Sequence, residues 1–170
     1  MKKETGYPSV DKTHLKGTTF FERHPIIPSM TFSQILDLMF MLQGNHNIVD
    51  CLDLRVDAKE FEKDSLIIAK SLLELGIKPN DIVAVSMPNY YQAIPVFKAC
   101  NMLGAVVTYL NPLASVEETK NYLNLYETLI FINTDTMSIY NDEIKRDTKV
   151  RNIITMKEKL RNSRDLNQDN

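Results

Sequence analysis

Two stretches of this chain follow one plan. Residues 75–89 read LGIKPNDIVAVSMPN and residues 103–112 read LGAVVTYLNP. Each has a Leu-Gly pair, an apolar β-branched run, and a turn built from Asn and Pro. A short apolar run bounded by turn residues reads as a buried strand, and glycine after a helix supplies a left-handed stop. Two such units in succession predict parallel strands joined by helical crossovers, with helices covering both faces of the sheet.

The flanking sequence extends the pattern. Ile35, Leu36, Leu38, Met39, Phe40 and Leu42 cover most of a helix surface over 32–42, which predicts a heavily buried helix ending at Gly44-Asn45. IVDCLDLRV, residues 48–56, alternates like a strand or hairpin arm. Over 59–75, Phe61, Ile68, Leu72 and Leu75 fall at helical spacing, interrupted by Ser65, and Gly76 ends the helix.

A strand is expected over 82–89, followed by a helix over 90–103 capped by Asn89. Pro95 removes a backbone donor from that helix, so the sequence predicts a kink or a later start. A strand over 105–110, a helix over 115–125, a strand over 129–133, a helical stretch over 137–146 and a strand over 152–156 complete the order. The predicted class is α/β, three-layered, with a mainly parallel sheet. An extended arm over 1–30, a body over 31–160 and a flexible polar tail over 161–170 are the expected divisions.

Composition restricts the partners. With 170 residues, 44 % hydrophobic and 25 % charged, the chain can bury a core, and its net charge of −2 carries no basic excess for nucleic acid. No apolar run is long enough to span a bilayer, and the start MKKETGYPSVDK lacks the apolar stretch of a secretory signal, so a cytoplasmic protein is expected. Cys51 and Cys100 lack CxxC spacing and read as separate thiols.

Candidate chemistry is sparse. A phosphate cradle needs clustered glycines, whereas Gly6, Gly17, Gly44, Gly76 and Gly104 are all far apart. At NPLASVEE, Ser115 can cap a helix, but Glu117 and Glu118 in its first turn would repel an anion. His14, His24 and His46 have no second ligand at helical spacing. Ser86 ends a predicted strand without the glycines of a nucleophile elbow. Asp50, Asp53 and Asp57 alternate like a solvated strand face, and Tyr90, Tyr91 and Phe97 sit where core aromatics sit. No catalytic, cofactor-binding or metal-ligating residue is assigned.

The block from Val56 to Asp135 nevertheless resembles the amino-terminal part of the adenylate-forming enzymes, the AMP-forming acyl-CoA synthetases and their relatives. VDAKEFEKDSLIIAKSLLELGIKPNDIVAVSMPN is similar to that family's strand, amphipathic helix, Leu-Gly, Lys-Pro-Gly-Asp, apolar strand and Pro-Asn. NMLGAVVTYLNPLASVEETKNYL resembles its Gly-Ala strand, Asn-Pro turn and Glu-rich helix, and LIFINTD its next strand. Asn80 stands at the usual glycine, a position Asn tolerates because it accepts positive φ, and Asp57-Ala58 replaces the usual Thr-Tyr.

For a complete relative, the resemblance implies activation of a carboxylate by ATP to an acyl-adenylate, followed by transfer to coenzyme A. It also implies a Ser/Thr/Gly-rich loop ending in Pro-Lys-Gly, a magnesium-holding Glu, a ribose-binding Asp and a catalytic Lys. None of these motifs occurs in the sequence, so the expected role is an amino-terminal fragment, inactive alone. ATP, Mg and coenzyme A would then belong to the complete parent. The remainder of such a ligase, or a second copy, is the expected partner. The alternative reading is a stand-alone, non-catalytic α/β interaction or structural domain.

Overall fold

The computed structural model describes residues 29–51 and 54–157. Helix α1 spans Phe32–Gln43, strands β1 (Asn47–Cys51) and β2 (Leu54–Asp57) form an antiparallel hairpin, and α2 spans Ala58–Glu74. There follow β3 (Ile82–Ser86), α3 (Ala93–Leu103), β4 (Val106–Tyr109), α4 (Val116–Leu125), β5 (Ile130–Thr134), a 3₁₀ turn (Asp135–Tyr140), α5 (Asn141–Asp147) and β6 (Asn152–Met156). The four later strands form a parallel sheet in the order β4-β3-β5-β6.

Strand alternation sorts the core into two layers. Val83, Val85, Ile130 and Ile132 face Leu72 of α2 and Val96, Ala99 and Cys100 of α3. Ala84 and Phe131 face the other way and pack with Leu123 of α4 and Ile144 of α5. The sheet is therefore covered on both sides, which is why its strands read as continuous apolar runs rather than alternating ones. A third cluster joins the hairpin to α1 and α2 through Leu54, Val56, Phe61 and Tyr91, with Leu36 and Phe40 against it.

The echoed turns touch each other. Asn80 adopts φ 70° and its N–H donates to the Gly104 carbonyl at 2.8 Å, while the Val106 N–H donates to Asp81 at 2.9 Å. Gly104 itself has φ 69°, and a Cβ there would lie 3.3 Å from the Pro79 Cβ. Both the backbone angle and the approach of Pro79 call for glycine. After Gly76, the Ile77 N–H returns to the Leu72 carbonyl at 3.2 Å and Ile77 is buried, closing α2 in a Schellman-like stop.

Several expectations are corrected. Helix α1 is not heavily buried: Met41 and Leu42 are 74 % and 73 % exposed. One stripe, centred on Ser33, Leu36 and Phe40, packs on α3 and the hairpin, and nothing among the described residues covers the opposite stripe. Asn89 is not the cap of the next helix. As the Pro95 reading allowed, helix α3 starts late, at Ala93 after Gln92, which places Pro95 in the first turn, where its missing N–H would have had no intrahelical partner. Strand β3 stops at Ser86, three residues early, and the helical stretch after β5 divides into a 3₁₀ turn and a short α-helix. The expected arm and tail fall almost wholly outside the described residues.

Candidate functional site

In open parallel sheets, ligands meet the carboxyl ends of the strands where the strand order reverses. Here β3 lies between β4, which follows it, and β5, which comes after β4, so the reversal falls at the ends of β3 and β5. The residues there are polar and buried, although the strands behind them are apolar. Register places Ser86 beside Asn133 and Asn133 beside Thr155, one polar row above the row of Ala84, Phe131 and Ile153.

Most of that row is closed on itself. The Asn133 Nδ2 donates to Asn141 Oδ1 at 2.7 Å, Thr155 Oγ1 donates to Asn133 Oδ1 at 3.0 Å, and Asn141 Nδ2 donates to Thr155 Oγ1 at 3.1 Å. The next residue, Thr134, shares a hydroxyl contact with Thr136 at 2.9 Å. Ser86 differs: it is fully buried and its hydroxyl has no partner among the described residues. Gln92, in the turn before α3, donates from Nε2 to the Lys157 carbonyl, while its Oε1 is buried without a donor among the described residues. Each buried orphan costs about 1–3 kcal/mol.

Among the described residues, this row presents hydroxyls and amides. Ser86 is buried rather than presented at an exposed turn, and no base among the described residues bonds to it. Among the described residues, no group of three His, Cys, Asp or Glu side chains is arranged to hold a metal. Gly44, Gly76 and Gly104 each end a helix at positive φ, so the described glycines build no cradle for a polyphosphate.

The other residues singled out in the sequence are scattered. Asp50 pairs with Arg55 at 3.4 Å across the hairpin, whereas Asp57 caps α2 by accepting from the Glu60 N–H at 2.8 Å. That bond, followed by one from Asn45, holds the Asp57 carboxyl below its ordinary range. His46 contacts the Gly44 carbonyl at 2.9 Å. His14, His24 and Asp53 lie outside the described residues. Tyr91 is buried with its hydroxyl donating to Asp64 at 3.1 Å, and desolvation first, then the Asp64 charge, raise its pKa. Phe97 is partly exposed, edge-on to Phe32 at 5.1 Å.

Cys100 is a buried free thiol whose pKa desolvation pushes up to about 12, which leaves it inert as a nucleophile. At NPLASVEE, the Ser115 hydroxyl accepts from the Glu118 N–H at 3.1 Å, and Glu117 pairs with Lys120 at 2.8 Å. Lys120 also reaches Glu143 and Asp147, so this helix start is an ion-paired surface.

A larger ionic feature was not read from the sequence. Lys98 of α3 is fully buried, with its Nζ on Asp37 of α1 at 2.5 Å and on Glu62 of α2. The same ammonium lies 5.5 Å and 5.9 Å from the ring centroids of Phe40 and Phe61. A lysine amid Ala99, Cys100 and Met102 was the available signal, since a charge on a buried helix face requires a counter-ion.

The parallel sheet, with helices packed on both of its faces, defines a three-layer α/β fold. A family model described as an AMP-binding enzyme matches residues 44–170, and the chain belongs to that family. It is 28 % identical over 140 residues to the probable 4-coumarate–CoA ligase 1 of Dictyostelium discoideum, covering 79 % of this chain and 25 % of the relative. Over 51 residues it is 43 % identical to the acetyl-coenzyme A synthetase of Escherichia coli K12, covering 30 % of this chain and 8 % of that protein. The fold is also that of the coronafacic acid ligase from Pectobacterium brasiliense, with a TM-score of 0.70 at 21 % identity over 75 % of this chain and 26 % of that one. The chain thus spans about a quarter or less of the curated relatives it matches.

Proposed function

We propose that this chain is the amino-terminal scaffold of an AMP-forming acyl-CoA ligase, and that it is not catalytic by itself. The observation that carries the reading is the family match over residues 44–170 combined with coverage of only about a quarter of the coumarate–CoA ligase relative. In such a parent, a carboxylate attacks the α-phosphate of ATP, pyrophosphate leaves, and the thiol of coenzyme A then displaces AMP. Stabilising the charge that develops on the phosphates needs converging N–H groups, a lysine and a metal ion. The described residues offer a structural sheet edge instead of that set, so no step of the reaction is routed through them.

The same reading makes residues 31–160 the α/β subdomain, with residues 1–30 as an arm and 161–170 as a tail. Its partner is the remainder of the ligase, its compartment the cytoplasm, and ATP, Mg and coenzyme A are ligands of the completed enzyme. No helix among the described residues is long and apolar enough to cross a membrane.

The second reading, a stand-alone interaction or structural domain, draws on the exposed α1 stripe of Leu38, Met41 and Leu42. The coding DNA downstream of residue 170 separates the two. An in-frame continuation into a Ser/Thr/Gly-rich loop ending in Pro-Lys-Gly is the expected result, and an immediate stop codon would favour the stand-alone domain.

A further inference from the structure

The last strand of a sheet leaves one row of backbone groups without a neighbour, and the two edges of this sheet treat that row differently. Among the described residues, β4 pairs on one side only, with β3. The Val106 N–H donates inward to the Asp81 carbonyl at 2.9 Å, and the Leu110 N–H donates inward to the Val85 carbonyl at 2.8 Å. Strand alternation therefore turns the N–H and C=O groups of Val107 and Tyr109 outward.

Proteins blunt such an edge with lysine, proline, a bulge or a short strand. Strand β4 has only its shortness: it keeps an unbroken register with β3, and residues 99–116 contain no Asp, Glu, Lys or Arg. Val106 and Tyr109 are 48 % and 50 % exposed, and Leu113 just beyond them is 90 % exposed. The opposite edge is protected by charge. Exposed Arg151 and Lys157 flank β6, so a copy paired antiparallel about Ile154 would set Arg151 against the second copy's Lys157.

No such repulsion opposes a second copy at β4. A two-fold axis perpendicular to the sheet reverses the strand and keeps its faces, which is what antiparallel pairing requires. With that axis at Thr108, Val107 lies opposite the second copy's Tyr109 and Tyr109 opposite its Val107, so every outward N–H and C=O finds a partner. Thr108 meets its own counterpart, and Val106 meets Leu110. These are aromatic–β-branched, hydroxyl and aliphatic pairs, all of them favourable across strands. Moving the axis to Val107 would instead set Tyr109 against Ala105, whose N–H is already given to the Cys100 carbonyl at 2.9 Å.

We infer that this chain self-associates through β4, two copies joining edge to edge about Thr108 into one continuous sheet. The backbone bonds hold the strands together, and the side-chain pairs fix the register. Val106 and Tyr109 leave water as the edge closes.

Sedimentation of the full chain over ~1–500 µM, with amide hydrogen exchange at both ends of that range, tests this. The expected result is a monomer–dimer equilibrium in which the Val107 and Tyr109 amides slow at high concentration while Ile154 is unchanged. Thr108→Lys and Thr108→Glu each weaken the dimer ~tenfold or more, because like charges meet at the axis, and an equimolar mixture of the two restores it. A monomer throughout the range would overturn the inference and show that the edge is open or covered by another part of the chain. So would slowing at Ile154 in place of Val107 and Tyr109, a dimer that Thr108→Lys leaves intact, or a mixture no better associated than its components. The milder Thr108→Cys variant gives a disulfide-linked dimer under mild oxidation beyond that of the unmodified chain, and its failure to do so counts against the register even if the charged variants do not fold. None of these readouts involves ligase activity.

Discussion

Lys98 shows how a single side chain can organise three helices. Its ammonium is wholly inside, whereas its partners Asp37 and Glu62 retain 56 % and 33 % of their side-chain exposure. The consequences of substitution are therefore unequal. Lys98→Met keeps the buried stem and leaves two carboxylates that water can reach, so it should cost less than stranding the buried ammonium. Asp37→Asn combined with Glu62→Gln strands a buried positive charge and should cost about 3–5 kcal/mol. Urea denaturation of both variants measures the contrast, and equal losses would show that the pair is not set up asymmetrically. The sequence hid this feature because Asp37, Glu62 and Lys98 belong to three separate helices, and no local spacing links them.

At the scale of elements, the Ser115 cap was legible in the sequence, whereas Asp57 reads there as part of a solvated strand face and Asn89 as a cap it is not. Asp57 caps α2 through the Glu60 N–H, and Ser115 caps α4 through the Glu118 N–H. Ser115→Ala should cost about 1 kcal/mol, measured as a fall in the urea midpoint at constant slope. For Asp57 the linkage has a definite sign. Its carboxyl pKa is lowered in the folded state, so its contribution is present above the unfolded value of about 3.9 and is lost as pH falls through the folded value. Asp57→Asn should therefore lower stability at pH 7 and leave it nearly unchanged near pH 2. A loss of similar size at both pH values would mean that the charge contributes nothing.

Elements whose signal was local were readable in advance. Gly76, Asn80 and Gly104 all occupy positive φ, and β6 has its expected limits at Asn152 and Met156. Helix α1 misled because apolar residues around a helix announce only that something apolar should cover it. The chain's own core covers one stripe, and Met41 and Leu42 face outward. Asn89 misled because a good capping residue beside Pro88 looks like a helix start, while Tyr90 to Gln92 form turns before α3 begins.

For the whole molecule, the echo of LGIKPNDIVAVSMPN and LGAVVTYLNP gave the parallel order because each unit is complete within about fifteen residues. The polar row at the sheet's carboxyl edge was not readable, because Ser86, Asn133 and Thr155 meet only once β3, β5 and β6 are in register. Within the described residues, that row supplies hydroxyls and amides. The family match places the chain among AMP-binding enzymes, and the scaffold's role proposed for it rests on its covering about a quarter of the coumarate–CoA ligase relative.

The most direct test of that role is carboxylate-dependent exchange of labelled pyrophosphate into ATP by the isolated chain with Mg²⁺, alongside a circular dichroism spectrum showing that it is folded. The account predicts a folded α/β spectrum with exchange at background for short-chain, long-chain and aromatic carboxylates. Exchange above background for any one of them would contradict it, because adenylate formation would then reside within these residues.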